Sequence, residues 1–215
     1  MTALTSLWPL FGLTLSTPRL MLRPITDEDI PAAVAAARSG VHEPGRNPFS
    51  TPWAELPAEE LGPKMAQFYW RCRSEATAES WTLLLGIWYE GGFIGCQDIG
   101  AKDFAVIKTV STGSWLKQSV HGQGLGKEMR AAVALYAFDW LKAEVAESEA
   151  AAWNAASLGV SRALGYELNG VTRMSWGGKM EEVQKVRLTP ATFQRPDWNL
   201  EVSGHEPAAK YLGIG

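Results

Sequence analysis

Two nearly continuous apolar runs, WTLLLGIWY (81–89) and FIGCQDI (93–99), flank Glu90-Gly91-Gly92, and this pattern predicts a β-hairpin. Upstream, TPRLMLR (17–23) alternates as a strand, with Leu20 and Leu22 on one face. Thr26 with Asp29 three residues on is a capping pair, so a helix is expected through Ala32–Arg38, ended by Gly40. Residues 41–57 hold four prolines and read as a long loop. Leu61, Met65, Phe68 and Cys72 then recur at helical spacing. Thr109–Leu116 is a further strand, and Met129, Val133, Tyr136 and Trp140 form the stripe of another helix. Residues 144–151 suit strand or helix equally. Asn154–Ala163 reads as a helix stopped by Gly165, and Tyr166–Met174 and Val183–Leu188 as strands joined at Gly177-Gly178. The expected fold is a single α+β domain over 1–215, with a core at about 15–190 and a loosely attached tail, 191–215.

Composition narrows the function. The 215 residues are 46% hydrophobic with a net charge of −3 and no block of like charges, which weighs against a nucleic-acid binder. No apolar run reaches the roughly 18 residues of a membrane span. The N-terminus, MTALTSLWPLFGLTL, lacks the basic start of a secretory signal. A cytoplasmic protein without membrane contact is expected, its oligomeric state open, a homo-oligomer included. Cys72 and Cys96 have no metal or redox spacing and read as buried thiols. His42, His121 and His205 are far apart in sequence, so no metal site is expected. The ten tryptophans are read as packing residues, a few of them free to line a pocket.

The densest chemical signal is SVHGQGLGKEMRAAV (119–133), a glycine-rich loop leading into a helix. A dinucleotide fingerprint starting at Gly122 would need glycine at position 127, which is Lys127. A P-loop ending at Gly126-Lys127 fails at His121 and Glu128. A cradle for the pyrophosphate of acyl-CoA remains, since a helix start offers free N–H donors and about 0.3–2 kcal/mol of dipole stabilisation to an anion. A glycine-rich turn without a ligand is the plain alternative.

His121-Gly122-Gln123-Gly124-Leu125-Gly126 resembles the [QR]-x-x-G-x-[GA] loop of the GNAT superfamily, with His121 where Gln or Arg is usual. Gly113-Ser114-Trp115-Leu116 resembles the "G-Y-W-L" strand of RimJ/RimL-type N-acyltransferases, and Thr17–Pro24 resembles their opening "T-x-R-L-x-L-R-P". Asn154-Ala155-Ala156-Ser157, Arg162 and Gly165-Tyr166 resemble their "N-x-x-S … R … G-[FY]" segment. The four matches follow family order over residues 17–188. Trp8-Pro9-Leu10-Phe11 and Lys102-Asp103-Phe104 further resemble an actinobacterial subgroup in which succinyl-CoA is implicated as donor.

The resemblance implies a V-shaped mixed sheet splayed between strands 109–116 and 144–151, with acyl-CoA (acetyl- or succinyl-CoA) in the gap and no metal. The backbone of Leu116 and Lys117 would pair with pantetheine. His121, Gly122, Gln123, Gly124, Leu125, Gly126 and Lys127 would hold the pyrophosphate. Asn154 would bond the pantetheine arm or simply cap its helix. Ser157 matches the family serine held to protonate the departing thiolate, and Ser161 stands where many members place a tyrosine acid. Arg46, Lys102 and Lys117 are candidates for a donor carboxylate. The implied partner is a primary amine, on a small molecule or a protein. A non-catalytic acyl-CoA-binding module is the alternative.

No general base carries over from the resemblance, because the family position for a glutamate falls on Trp176. His42 and Asp103 are the candidates, with Glu43 and Asp98 beside them. At pH 7 a lysine amine of pKa about 10.4 costs about 4.6 kcal/mol to deprotonate, and an α-amine of pKa about 8 costs about 1.4. A weak base therefore favours an α-amine or another amine of low pKa.

Overall fold

The computed structural model describes residues 3–176 and 179–214. In chain order the elements are α1 (Ala3–Leu7), β1 (Thr14–Ser16), β2 (Leu20–Pro24), α2 (Ile30–Arg38), α3 (Ala58–Ser74), β3 (Ser80–Tyr89) and β4 (Gly92–Lys102). There follow α4 (Phe104–Ile107), β5 (Thr109–Thr112), β6 (Ser114–Leu116), α5 (Leu125–Leu135), β7 (Val145–Ala151) and α6 (Ala155–Ala163). The chain ends with β8 (Glu167–Trp176), β9 (Lys179–Leu188), β10 (Glu201–Ser203) and α7 (His205–Tyr211). The strands form one mixed sheet in the order β10-β1-β2-β3-β4-β5-β7-β9-β8, with β6 also on β4. The expected turn at Gly177-Gly178 lies outside the described residues.

Local chemistry accounts for the scaffold. The β3–β4 hairpin turns through Glu90 and Gly91 at φ 51° and 78°, the left-handed pair that a two-residue hairpin requires. Asp29 Oδ2 accepts from both the N–H and the hydroxyl of Thr26, so the expected capping pair forms and starts the turn into α2. Helices α2 and α3 cover one face of the sheet through Val34, Leu61, Met65 and Tyr69 against Phe93 and Cys96. Helices α5 and α6 cover the other, with Met129, Val133 and Tyr136 against Ile87 and Ile99.

Several expectations are corrected. Strand 109–116 is two strands, divided at Gly113. In α3, Phe68 is exposed and its neighbour Tyr69 is buried, a shift of one residue that adjacent aromatics leave undetermined. Trp140 is more than a third exposed because the chain leaves α5 through a wider π-helical turn over Tyr136–Trp140, which rotates it out of the stripe. Cys72 is only partly buried. The region beyond residue 190 is not loosely attached: β10 pairs with β1 over Thr14–Ser16, and Ala208 and Leu212 are buried in the main core.

Candidate functional site

The sheet opens at one place. β5 runs parallel to β7, Thr109–Thr112 facing Val145–Ser148. At Gly113 the chain breaks away. β6 stays on β4, with Gly95 opposite Leu116 and Gln97 opposite Ser114. β7 continues on β9 as far as Ala151 opposite Val183. A gap therefore lies between residues 114–116 and 149–151. Its cause is local. Asp98 donates its backbone N–H to Gly113 O at 2.8 Å, and Gly113 N–H donates to the Asp98 carboxylate at 2.7 Å. A side chain thus takes the place of a ladder partner, and a Cβ at position 113 would lie 2.7 Å from Asp98 Oδ2.

Different groups occupy the two faces of this gap. Cys96 packs with α2 and α3, and Asp98, two residues on, projects to the same side. Burial pushes the Asp98 carboxyl up to about 7, against the opposing pull of the Gly113 N–H and the Arg130 charge. Some of its surface still meets solvent. On the α5–α6 face, Arg130 donates to Ser161 Oγ at 2.7 Å and to Ser157 Oγ and Ser157 O at 3.3 Å each. Tyr166 lies beside them, hydrogen-bonded to Thr112 at the last residue before the strands part.

The glycine loop lies at the mouth of the gap. Gly122 and Gly124 have φ of 76° and 77°, a left-handed conformation that costs other residues about 1–2 kcal/mol. The N–H groups of Gly122, Leu125 and Gly126 donate to no protein acceptor among the described residues. Arg19 braces the loop by donating to Gln123 O at 3.1 Å while pairing with Glu128 at 2.6 Å; Thr17 Oγ1 donates to the same carboxylate at 2.5 Å. This accounts for the opening Thr-x-Arg as a strut. A cleft of about 490 Å³ runs on from the loop, lined by Arg19, Gly124, Lys127, Ala163, Arg195 and Trp198. Gly126 has helical backbone, and a Cβ there would meet only Leu116 Cδ1 at 3.8 Å. Gly126→Ala is therefore expected to leave the melting temperature within about 2 °C of wild type, whereas Gly124→Ala lowers it by roughly 2–8 °C through its φ.

The remaining expected residues divide by position. His121 Nε2 lies 2.9 Å from Leu116 O, so the unusual histidine fills the carbonyl next to the gap that pantetheine was expected to use. Lys117 donates its N–H to Ile94 O on β4, facing away from the gap. Asn154 Oδ1 accepts from Ser157 N–H at 3.1 Å, so the capping role is formed and its amide nitrogen points elsewhere. Arg46 stacks on Trp153 at 4.2 Å, at the mouth beside Asn154. His42 is held in its own loop, Nδ1 2.8 Å from Glu43 O and Nε2 3.9 Å from Glu55 Oε1. Glu43 accepts from Gln118 at 3.0 Å. Lys102 and Asp103 are not brought to the gap. Lys102 follows Gln97, the partner of Ser114, by five residues along β4, or about 17 Å at strand rise, and Asp103 lies beyond the end of that strand. Trp176 is buried. Among the described residues no group of three metal-ligating side chains occurs, and no helix is long and apolar enough to cross a membrane.

A mixed sheet parted between parallel neighbours, with a glycine-rich helix start at the opening, is the arrangement of the acetyltransferase (GNAT) fold. Residues 19–167 match the acetyltransferase (GNAT) domain, and the chain belongs to that family. Its fold is similar to RimJ of Mycobacterium smegmatis, solved with CoA-disulfide, at 17% identity and a TM-score of 0.69, covering 94% of this chain and 97% of that one. RimL, the ribosomal L7/L12 alpha-N-protein acetyltransferase, solved with coenzyme A, aligns at 16% identity and 0.65, covering 80% and 95%. A candidate ribosomal-protein-serine acetyltransferase from Vibrio cholerae aligns at 21% and 0.64, covering 82% and 97%.

Two residues of the site escape sequence reasoning. Arg130 and Glu128 are buried where the helical stripe predicts nothing special, while Tyr166, half of the Gly165-Tyr166 match, is buried as well. The available signal was three charges, Lys127, Glu128 and Arg130, within four positions of an otherwise apolar helix.

Proposed function

We propose that this acetyltransferase-family protein moves an acyl group, acetyl or succinyl, from CoA to a primary amine by direct attack in a ternary complex, and that the amine is the α-amino group of a protein chain. The observation that carries this reading is the gap itself, with a carboxyl of pKa about 7 on one face and a hydroxyl pair on the other. The loop 121–127 takes the pyrophosphate on its free N–H groups, and the cleft beside it has room for the nucleotide end. Pantetheine follows the gap past Leu116 toward Asn154, which places the thioester at Ser157.

The residues then divide the work. Asp98, which sequence alone ranks behind His42 and Asp103, is the base: it is ionised about half the time at neutral pH, well matched to an amine of pKa about 8. Ser157 faces the departing sulfur. Arg46, stacked at the mouth, is placed to meet a donor carboxylate. The likeness to the alpha-N-protein acetyltransferase RimL supports the choice of acceptor.

The test is thiol release from acetyl- and succinyl-CoA with peptides offering either a free α-amine or only a lysine amine. The α-amine peptides are expected to react faster at pH 7. Ser157→Ala should lose most turnover and keep CoA affinity, and Arg46→Ala should raise KM for succinyl-CoA more than for acetyl-CoA. Faster lysine acylation would overturn the acceptor, and equal KM changes the role of Arg46. Tight CoA binding with no turnover on any amine would mark a binding module instead.

A further inference from the structure

Arg130 is a buried cation in α5, only 6% exposed. Taking a guanidinium out of water costs several kcal/mol unless an anion compensates it. No carboxylate lies within ion-pair distance of it among the described residues. Its hydrogen-bond partners are neutral oxygens of Ser157 and Ser161. The charged and titratable groups that face it are Asp98, across the gap on β4, and Tyr166, the residue before β8. Its own-helix neighbour Glu128 is spent on Thr17 and Arg19. The resting protein thus holds a desolvated positive charge behind two serine hydroxyls, facing the gap, with its counter-charge absent from contact.

We infer that Arg130 is a positioning residue for the leaving group: it fixes the Ser157 hydroxyl and supplies the positive potential that stabilises the CoA thiolate. This rests on the acyl-CoA reading above. The amine nitrogen forms the new C–N bond as the C–S bond breaks, and the electron pair of that bond goes to sulfur. The amine's surplus protons go to the Asp98 carboxylate and to water. Sulfur leaves as an anion that accepts a hydrogen bond from Ser157 Oγ–H, whose lone pairs receive the N–H of Arg130. Ser157 therefore keeps its proton, and the thiolate takes one from water afterwards. Ser161 has a separate task, since its Oγ accepts the shorter bond and holds the guanidinium in place.

The experiment reads the thiolate itself. Free CoA is titrated against pH in the presence of the protein, and bound thiolate is followed by its ultraviolet absorbance, with CoA affinity measured by calorimetry. In wild type the bound coenzyme should show at least about a tenfold higher ratio of thiolate to thiol than free CoA, as expected for an opposite charge within about 6 Å. Arg130→Met should return that ratio to the free value with CoA affinity within a few fold, and Arg130→Lys should keep part of the enrichment. An Arg130→Met protein that folds, binds CoA and keeps the full enrichment would overturn the inference. So would a wild-type complex with no enrichment, a result that stands even if the Met variant does not fold. A wild-type protein that binds no CoA at all would instead remove the acyl-CoA reading, and this inference with it.

Discussion

Asp98→Asn is expected to lower kcat for α-amine acylation by about 10²- to 10⁴-fold, the usual worth of a positioned general base. The amide keeps an oxygen for the Gly113 N–H, so the parting of the strands should persist and CoA affinity should change little. The wild-type pH profile should carry an inflection near pH 7, below which the rate falls as the Asp98 carboxyl is protonated, besides the titration of the amine itself near 8. The variant's residual rate should lose that inflection. Stability should move the opposite way. An aspartate titrates near 3.9 in the unfolded chain and near 7 in the folded one, so the folded state holds the extra proton between those values. Stability is complete below about pH 4 and is lost as pH rises toward 7, by at most about 4 kcal/mol, less because part of Asp98 meets water. At pH 8 the asparagine variant should therefore melt higher than wild type while working far more slowly. A variant that is both inactive and less stable at pH 8 would reduce Asp98 to a structural brace.

Gly204→Ala is expected to be strongly destabilising. Gly204 has φ of 71° and caps the start of α7, and a Cβ there would lie 2.0 Å from Gly12 O. Left-handed strain of about 1–2 kcal/mol and overpacking of about 1–3 kcal/mol combine to roughly 2–5 kcal/mol. For a domain of this size that is a fall in melting temperature of roughly 4–20 °C. An unchanged melting curve would mean that β10 and α7 can leave the sheet without cost, against the burial of Ala208 and Leu212.

What sequence conveyed, and what it did not, follows from the range of each interaction. The β3–β4 hairpin and α5 declare themselves because their signals are local: a turn with two left-handed residues, and an apolar run after a glycine start. The strand break at Gly113 is hidden because its cause is the side chain of Asp98, fifteen residues earlier. β7, VAESEAA, has too few apolar residues to show a period, and only the family resemblance settles it as a strand. β10 and α7 are three and seven residues long, below the length at which periodicity speaks. The loop and Asn154 were legible because backbone geometry demands those residue types there. Arg130 was not, because α5 is buried along nearly all its length, and a charge on such a helix looks in sequence like any solvated one.

The opening between β6 and β7 has one further consequence. On our reading, a proton is removed from the acceptor on the α2–α3 side, and negative charge is collected from the donor on the α5–α6 side. The two operations meet at the reacting carbonyl, and the Arg130 charge reaches Asp98 across the sheet. The Pro-rich segment 41–57 packs Trp53 and Leu56 on the first side, but its Arg46 stacks on Trp153 and its Glu43 accepts from Gln118 on the donor side. Acceptor choice and donor handling are therefore separable in part: exchange of the segment with Glu43 and Arg46 kept should redirect the enzyme to a different amine while its coenzyme half goes on working.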